Sequence, residues 1–337
     1  MNTFVYSLHC LLVLGVPVLF GWVLLRRVFR EAHWLALIPG GVVVGLAALM
    51  TAVNELRFFY EMRIAVWSAY KLLLALTLLL IVFLPRRPVR LRLPGCIDRR
   101  WKLSLVVAGA LAAGVYFGIP AFNGYLNDAW WYHYPAAVQI QTIEHFPLSH
   151  VFAVDDPLYY HPGPDILAAC FSFLFEIPVA KAWALLIVLL APCAFLLAFA
   201  LVARLSRNYW SALLAAALVI AGGNLRWLLF FTGKITATNE ALTVFNSQTV
   251  QSLLQMAFTP AHLLGIPLTL VVLLVFRHFS ARPSWRLGAV LGLILGSLTL
   301  VGEWYVLPLM AGILLFMGFS IWRRRMVCAT TIYLLLW

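Results

Sequence analysis

PDILAACFSFLFEI, residues 164–177, decides how this chain is arranged. At fourteen residues it falls short of the roughly twenty that a helix needs to cross a hydrocarbon core of about 30 Å. If it crosses, every later loop changes side, and Arg204, Arg207 and the stretch RHFSARPSWR (277–286) face outward. If it is re-entrant or lies at the interface, five basic clusters fall on one side of the membrane. These are Arg26, Arg27 and Arg30; seven residues between Arg86 and Lys102; Arg204 and Arg207; Arg277, Arg282 and Arg286; and Arg323 to Arg325. Together they hold 18 of the 24 Lys and Arg. Clusters that flank apolar spans mark the cytoplasmic side, so the second arrangement is the expectation.

Composition supplies the membrane itself. The 337 residues are 64% hydrophobic and 11% charged, with a mean hydropathy of +0.96, whereas soluble domains carry about 25% charged residues. Apolar runs recur at 5–25, 34–53, 64–84, 103–122, 180–203, 209–231, 259–276, 287–302 and 304–322. A further run begins at 326 and reaches Trp337 after twelve residues, short of a crossing. Backbone polar groups in lipid must pair internally, which leaves a helix bundle or a closed barrel. The runs are continuous and lack strand alternation, so the expected fold is an all-α polytopic bundle of about 9–11 spans. Short surface helices are expected on its extracytoplasmic loops.

The net charge of +12 does not indicate nucleic acid, because it sits in the topology clusters, where it also meets anionic lipid. No basic residue precedes the first apolar run and Arg26-Arg27 follow it, the reverse of a cleaved leader, so the N-terminus is expected outside. The five cysteines (Cys10, Cys96, Cys170, Cys193 and Cys328) show neither zinc spacing nor a disulfide framework.

Two polar loops then share the outer face. The first, 121–163, is too long for a simple connector. Its stretch NDAWWYHYPAAVQI (127–140) sets Asp128 beside Trp130, Trp131 and Tyr132. The aromatics suit the membrane interface. Asp128 is a carboxylate at a boundary, where desolvation raises its pKa toward that of a general base; an ordinary solvated loop aspartate is the competing reading. Tyr134-Pro135 opens a short surface helix to about His145. His133 and His161 are candidates for orienting substrate, against the plainer reading of satisfied interfacial histidines. Asp155-Asp156 stand in a turn-prone VDDP, either as substrate contacts or as an Asx turn. YYHPGPD adds Tyr160 and Asp165.

The second loop, 232–258, carries Lys234 and Glu240, then an amphipathic face of Leu242, Phe245, Thr249, Leu253 and Met256. Arg226 lies five residues inside the preceding span, placed to hold a lipid phosphate or simply to snorkel. His262 follows Thr259-Pro260, and Glu303 occupies a tight turn between two spans on the same side.

These features resemble the GT-C superfamily, polytopic glycosyltransferases that draw sugars from polyprenyl-phosphate donors. The likeness is carried by Asp128 with AWWYHYPAAVQI, by YYHPGPDILAACFSFLF, by the next span ending in ARLSR, and by FTPAHLLGIPL, and covers about residues 103 to 275. It implies a GT-C-like core at 103–337 preceded by a three-span extension at 1–102. It implies a bacterial inner-membrane enzyme that transfers sugar by inversion on the extracytoplasmic face. Asp128 becomes the catalytic base by position. The remaining outer residues, namely His133, Asp155, Asp156, Tyr160, His161, Asp165, Arg226, Lys234, Glu240, His262 and Glu303, become candidate substrate contacts. Two departures stand out: three spans precede the matching one, and Asp128 lacks an adjacent second carboxylate, since Asn127 and Ala129 flank it. The missing carboxylate counts against a divalent metal, so no cofactor is expected. The expected partners are membrane lipid, the lipid-linked donor and other membrane proteins. The rival classes are a transporter or flippase, for which Lys71 and the break at Gly222-Gly223-Asn224 are the signals, and a non-catalytic subunit of a membrane complex.

Overall fold

The computed structural model of the protein describes residues 3–29, 33–84, 93–123, 133–142, 149–150, 153–157, 162–221, 260–281 and 283–324. Among them the apolar runs fold as helices: α1 (Thr3–Arg27), α2 (Trp34–Arg57), α3 (Met62–Phe83), α4 (Arg100–Phe122), α5 (His133–Thr142), α6 (Gly163–Phe175), α7 (Val179–Ser206), α8 (Tyr209–Ala221), α9 (Pro260–Ala281), α10 (Trp285–Thr299) and α11 (Glu303–Arg324). Within α2, α3, α4, α7 and α9 the helix is long and apolar enough to cross a membrane; α6, α8, α10 and α11 are apolar over shorter lengths. The described residues thus form the expected helical bundle, in which five helices, rather than the nine to eleven expected, have the length and apolarity of a membrane span. Pro39, Pro192, Pro267 and Pro308 lie inside helices, as neighbouring helices permit in a membrane bundle.

One small β element departs from that expectation. Ser149–His150 (β1) pairs antiparallel with Ala153–Pro157 (β2) in the first polar loop. Asp155 and Asp156 thus lie on a strand rather than in an Asx turn. A five-residue strand offers too short a stretch for period-2 alternation to show in sequence.

Close packing rests on small residues. α1 and α2 run antiparallel with Gly21 against the backbone of Gly41, and Gly45 against Pro17. Gly41 and Gly45 form the small-x-x-x-small pattern by which membrane helices approach closely. A Cβ on Gly45 would strike the Pro17 carbonyl and come within 3.0 Å of the Val18 amide. Gly45→Ala is therefore expected to cost about 1–3 kcal/mol by overpacking. Gly15→Ala, which meets nothing within 4 Å, is expected to stabilise by about 0.5–1 kcal/mol. Unfolding of the two variants in detergent compares them directly.

Contacts between helix ends sort the bundle into two poles. At one pole the Arg27 guanidinium donates to the Leu84 carbonyl at 2.7 Å, the Tyr209 hydroxyl to the Lys102 carbonyl at 2.9 Å, and Arg204 lies 3.5 Å from His278. Leu35 packs there with Ile97, Phe199 and Tyr209. The hydrogen bond from Lys102, 2.6 Å away, holds the exposed Asp98 carboxyl below its usual range. This pole collects the described members of the basic clusters. At the other pole Lys181 Nζ donates to the Phe122 carbonyl at 2.7 Å, and Thr51 Oγ1 donates to Ser297 Oγ at 2.9 Å.

Both ends of α6 lie at this second pole. The Gly163 amide donates to the Leu300 carbonyl, in the turn between α10 and α11, at 2.9 Å. At its other end, Ser172, Phe173 and Glu176 face Glu61, Met62 and Arg63 at the turn between α2 and α3. The short apolar helix enters and leaves at one end of the bundle, the arrangement that gathers the basic loops on one side. Cysteines introduced at Glu61 and Glu176, in a background without native cysteines, are expected to react with an impermeant thiol reagent from the same side of intact cells. Asp98→Cys is expected to be protected there. Labelling of Glu61→Cys and Glu176→Cys from opposite sides would contradict the fold.

Candidate functional site

The second pole carries the polar residues. α5 presents His133, Ala136, Ala137 and Ile140 to the core, an i, i+3, i+4, i+7 face. Its position is fixed by Arg57, which is fully buried at the end of α2. The guanidinium donates to the Ile140 carbonyl through Nη2 and to the Tyr60 carbonyl through Nη1, each at 3.1 Å. Gln141 Nε2 adds a 3.1 Å bond to the Ala169 carbonyl and ties α5 to α6. α6 starts at Gly163, where a Cβ would lie 2.5 Å from the Leu300 carbonyl and 2.6 Å from Met50 Sδ. Only glycine lets the chain pass so close.

Between the starts of these helices lies a buried polar pair. His133 Nδ1 stands 2.9 Å from Asp165 Oδ1 and 3.2 Å from Oδ2, with side-chain exposures of 3% and 0%. The Trp183 ring meets the imidazole edge-on, with centroids 6.2 Å apart. Its buried Nε1 has no hydrogen-bond partner among the described residues, a condition that disfavours an apolar resting place and favours an oxygen acceptor. Isolated charges are too costly to bury at such a site, so the imidazole and carboxyl stand or fall together.

Sequence reasoning named both members without pairing them. The described parts of the two motifs, from His133 and from Pro162 onward, meet here; Asp128 lies five residues before His133 in sequence and His161 four before Asp165. Asp128, Tyr160, His161, Arg226, Lys234 and Glu240 lie outside the described residues. Of Asp155 and Asp156 only the strand backbone is described, and likewise the helical backbone of His262 in the first turn of α9 and of Glu303 at the start of α11. Gly265, in the second turn of α9, packs on Tyr305 in the first turn of α11.

A cleft of about 460 Å³ opens between the α2–α3 turn and the ends of α5 and α6. Its polar lining is Glu61, Arg63, Gln141, Thr142, Ser172 and Glu176. Glu176 adopts φ 53°, the left-handed cap that ends α6, with its backbone N–H donating to the Ser172 carbonyl. Sequence reasoning missed both Arg57 and this cleft. The available signal was NELRFFYEMR (54–63), which sets four charges in ten residues at a turn between spans. Among the described residues no group of three or more His, Cys, Asp or Glu is placed to hold a metal ion. Lys71 is exposed on the outside of α3, away from the interior through which a translocation path would run.

No protein-family model, no curated protein and no solved structure matches this chain.

Proposed function

We propose that the protein is an inverting membrane glycosyltransferase that moves a sugar from a polyprenyl-phosphate donor to an acceptor hydroxyl at the extracytoplasmic face. One observation carries the reading: the two motifs that resemble the GT-C superfamily meet at the His133–Asp165 pair, at the pole opposite the basic clusters. By the positive-inside rule that pole is extracytoplasmic and the N-terminus is outside, as in a bacterial inner-membrane enzyme.

In this mechanism the acceptor hydroxyl gives its proton to the Asp128 carboxylate as its oxygen attacks the anomeric carbon. The bond from that carbon to the phosphate oxygen breaks, and the departing polyprenyl phosphate keeps the electron pair. Arg226 or Lys234 balances the charge that develops on the phosphate. His133 and Asp165 fix the start of α5, five residues after Asp128 in sequence. The cleft beside Glu61, Arg63 and Glu176 offers acidic and amide groups suited to acceptor hydroxyls. The chemistry needs no metal ion.

The test is transfer by the purified chain in proteoliposomes. Radiolabelled polyprenyl-phosphate monosaccharides are supplied with cell-envelope extract as acceptor. Movement of label from the lipid to a polar product, absent from empty vesicles, supports the reading. Intact donor across the whole donor panel rejects it.

A further inference from the structure

Lys71 has no place in this chemistry, and its position is unusual. It lies nine residues after Met62 and twelve before Phe83 in α3, so about 13 Å and 18 Å of helix separate it from the two ends. That is mid-depth in a core of about 30 Å, farther from either surface than a four-carbon stem reaches. Ionisable residues at such depth ordinarily face the interior of the bundle or pair with one another. Lys71 does neither: it is exposed, and no hydrogen bond or ion pair engages it among the described residues.

The face around it has a second property. Ile64, Trp67, Lys71, Leu74 and Leu78 follow one another at spacings of three and four residues, the a/d seam of a coiled coil. Ile64, Trp67, Leu74 and Leu78 are each more than 40% exposed, whereas the opposite face, with Ala65, Ala69, Leu73 and Thr77, is buried. A single lysine at an a position specifies register and oligomer state at a cost in stability.

We infer that the outward face of α3 is a docking surface for one transmembrane helix of another protein, and that this helix carries a carboxylate level with Lys71. Charge complementarity sets the partner's chemistry. A second copy of this chain does not supply it, because all twelve Asp and Glu lie outside the middle of the apolar runs. A phospholipid headgroup lies too far along the membrane normal. This surface stands independently of the proposed transfer reaction.

The test is photocrosslinking of the full chain in its native membrane. A photoreactive side chain replaces Leu74 or Leu78 on the seam, or Leu111 on the exposed face of α4 as a control. A discrete protein adduct is expected from the two seam positions and not from Leu111. Sequencing of the adduct is expected to place an Asp or Glu within an apolar segment of the partner. Lys71→Asp is expected to lower the adduct about tenfold, the weight of one pairing interaction in an apolar medium. Lysine in place of the partner's carboxylate is then expected to restore it. Lys71→Met, which keeps the seam apolar, separates loss of charge from loss of shape and is expected to weaken the adduct as well. Adducts to lipid alone, adducts to a second copy, or a yield unchanged by Lys71→Asp would each overturn the proposal.

Discussion

Asp128→Asn is expected to lower the rate of sugar transfer by about 10²–10⁴-fold, the range for loss of a positioned general base. Asparagine keeps the size and accepts a hydrogen bond, but it cannot take the acceptor's proton at neutral pH. If transition-state proton transfer is the residue's role, kcat falls and KM for the lipid-linked donor holds. If Asp128 instead binds substrate equally in ground and transition states, KM rises and kcat holds. Full turnover by the variant removes Asp128 from the mechanism. A more acidic acceptor gives a second check. An acceptor whose hydroxyl is more acidic needs less help from a base, so it is expected to recover part of the lost rate in Asp128→Asn and to gain little in the unsubstituted protein.

Asp128 stands out in the sequence because it interrupts a strongly apolar chain, though it lies outside the described residues, and the spans were legible for the same reason. Continuous runs of Leu, Val and Ala specify helices whose length the membrane dictates, and α2, α4, α7 and α9 begin within about three residues of the runs read from sequence. The course of 164–177 followed from charge bookkeeping: only a helix that returns to its own side keeps the basic loops together, and α6 does so. The cleft was not legible. Its lining comes from residues 61–63, 141–142 and 172–176, and nothing local marks segments so far apart as neighbours. Arg57 was hidden by its position, because an arginine at the end of an apolar run reads as an interfacial anchor. Only the packing of α5 across it turns that anchor into a buried clamp. The strand at Ala153–Pro157 failed for want of length, since VDDP carries turn residues and no alternation.

His133→Ala is expected to destabilise the protein by about 3–5 kcal/mol, as removal of one partner from a buried pair does elsewhere. The cause is less the lost hydrogen bond than the Asp165 carboxyl left behind with no exposed surface. It must then remain charged without compensation or be buried neutral with its donor and acceptor unmet. Unfolding followed in detergent measures the loss, and two further variants give it meaning. Asp165→Asn preserves an acceptor for the imidazole Nδ1–H at 2.9 Å. A small cost there identifies the pair as a neutral hydrogen bond, and a cost as large as that of His133→Ala identifies an ion pair. The double variant His133→Leu with Asp165→Leu removes both polar groups and is expected to recover most of the lost stability, because apolar pairs of similar volume replace buried ion pairs at little cost. Its activity then separates frame from chemistry. A stable double variant with slow transfer means that the pair sets the geometry of the NDAWWYH and YYHPGPD segments where they leave α5 and α6. A stable double variant with full transfer means that any filled core would hold those segments equally well. The first outcome is expected, because an imidazole hydrogen-bonded to both carboxylate oxygens fixes an orientation that leucines leave free to vary.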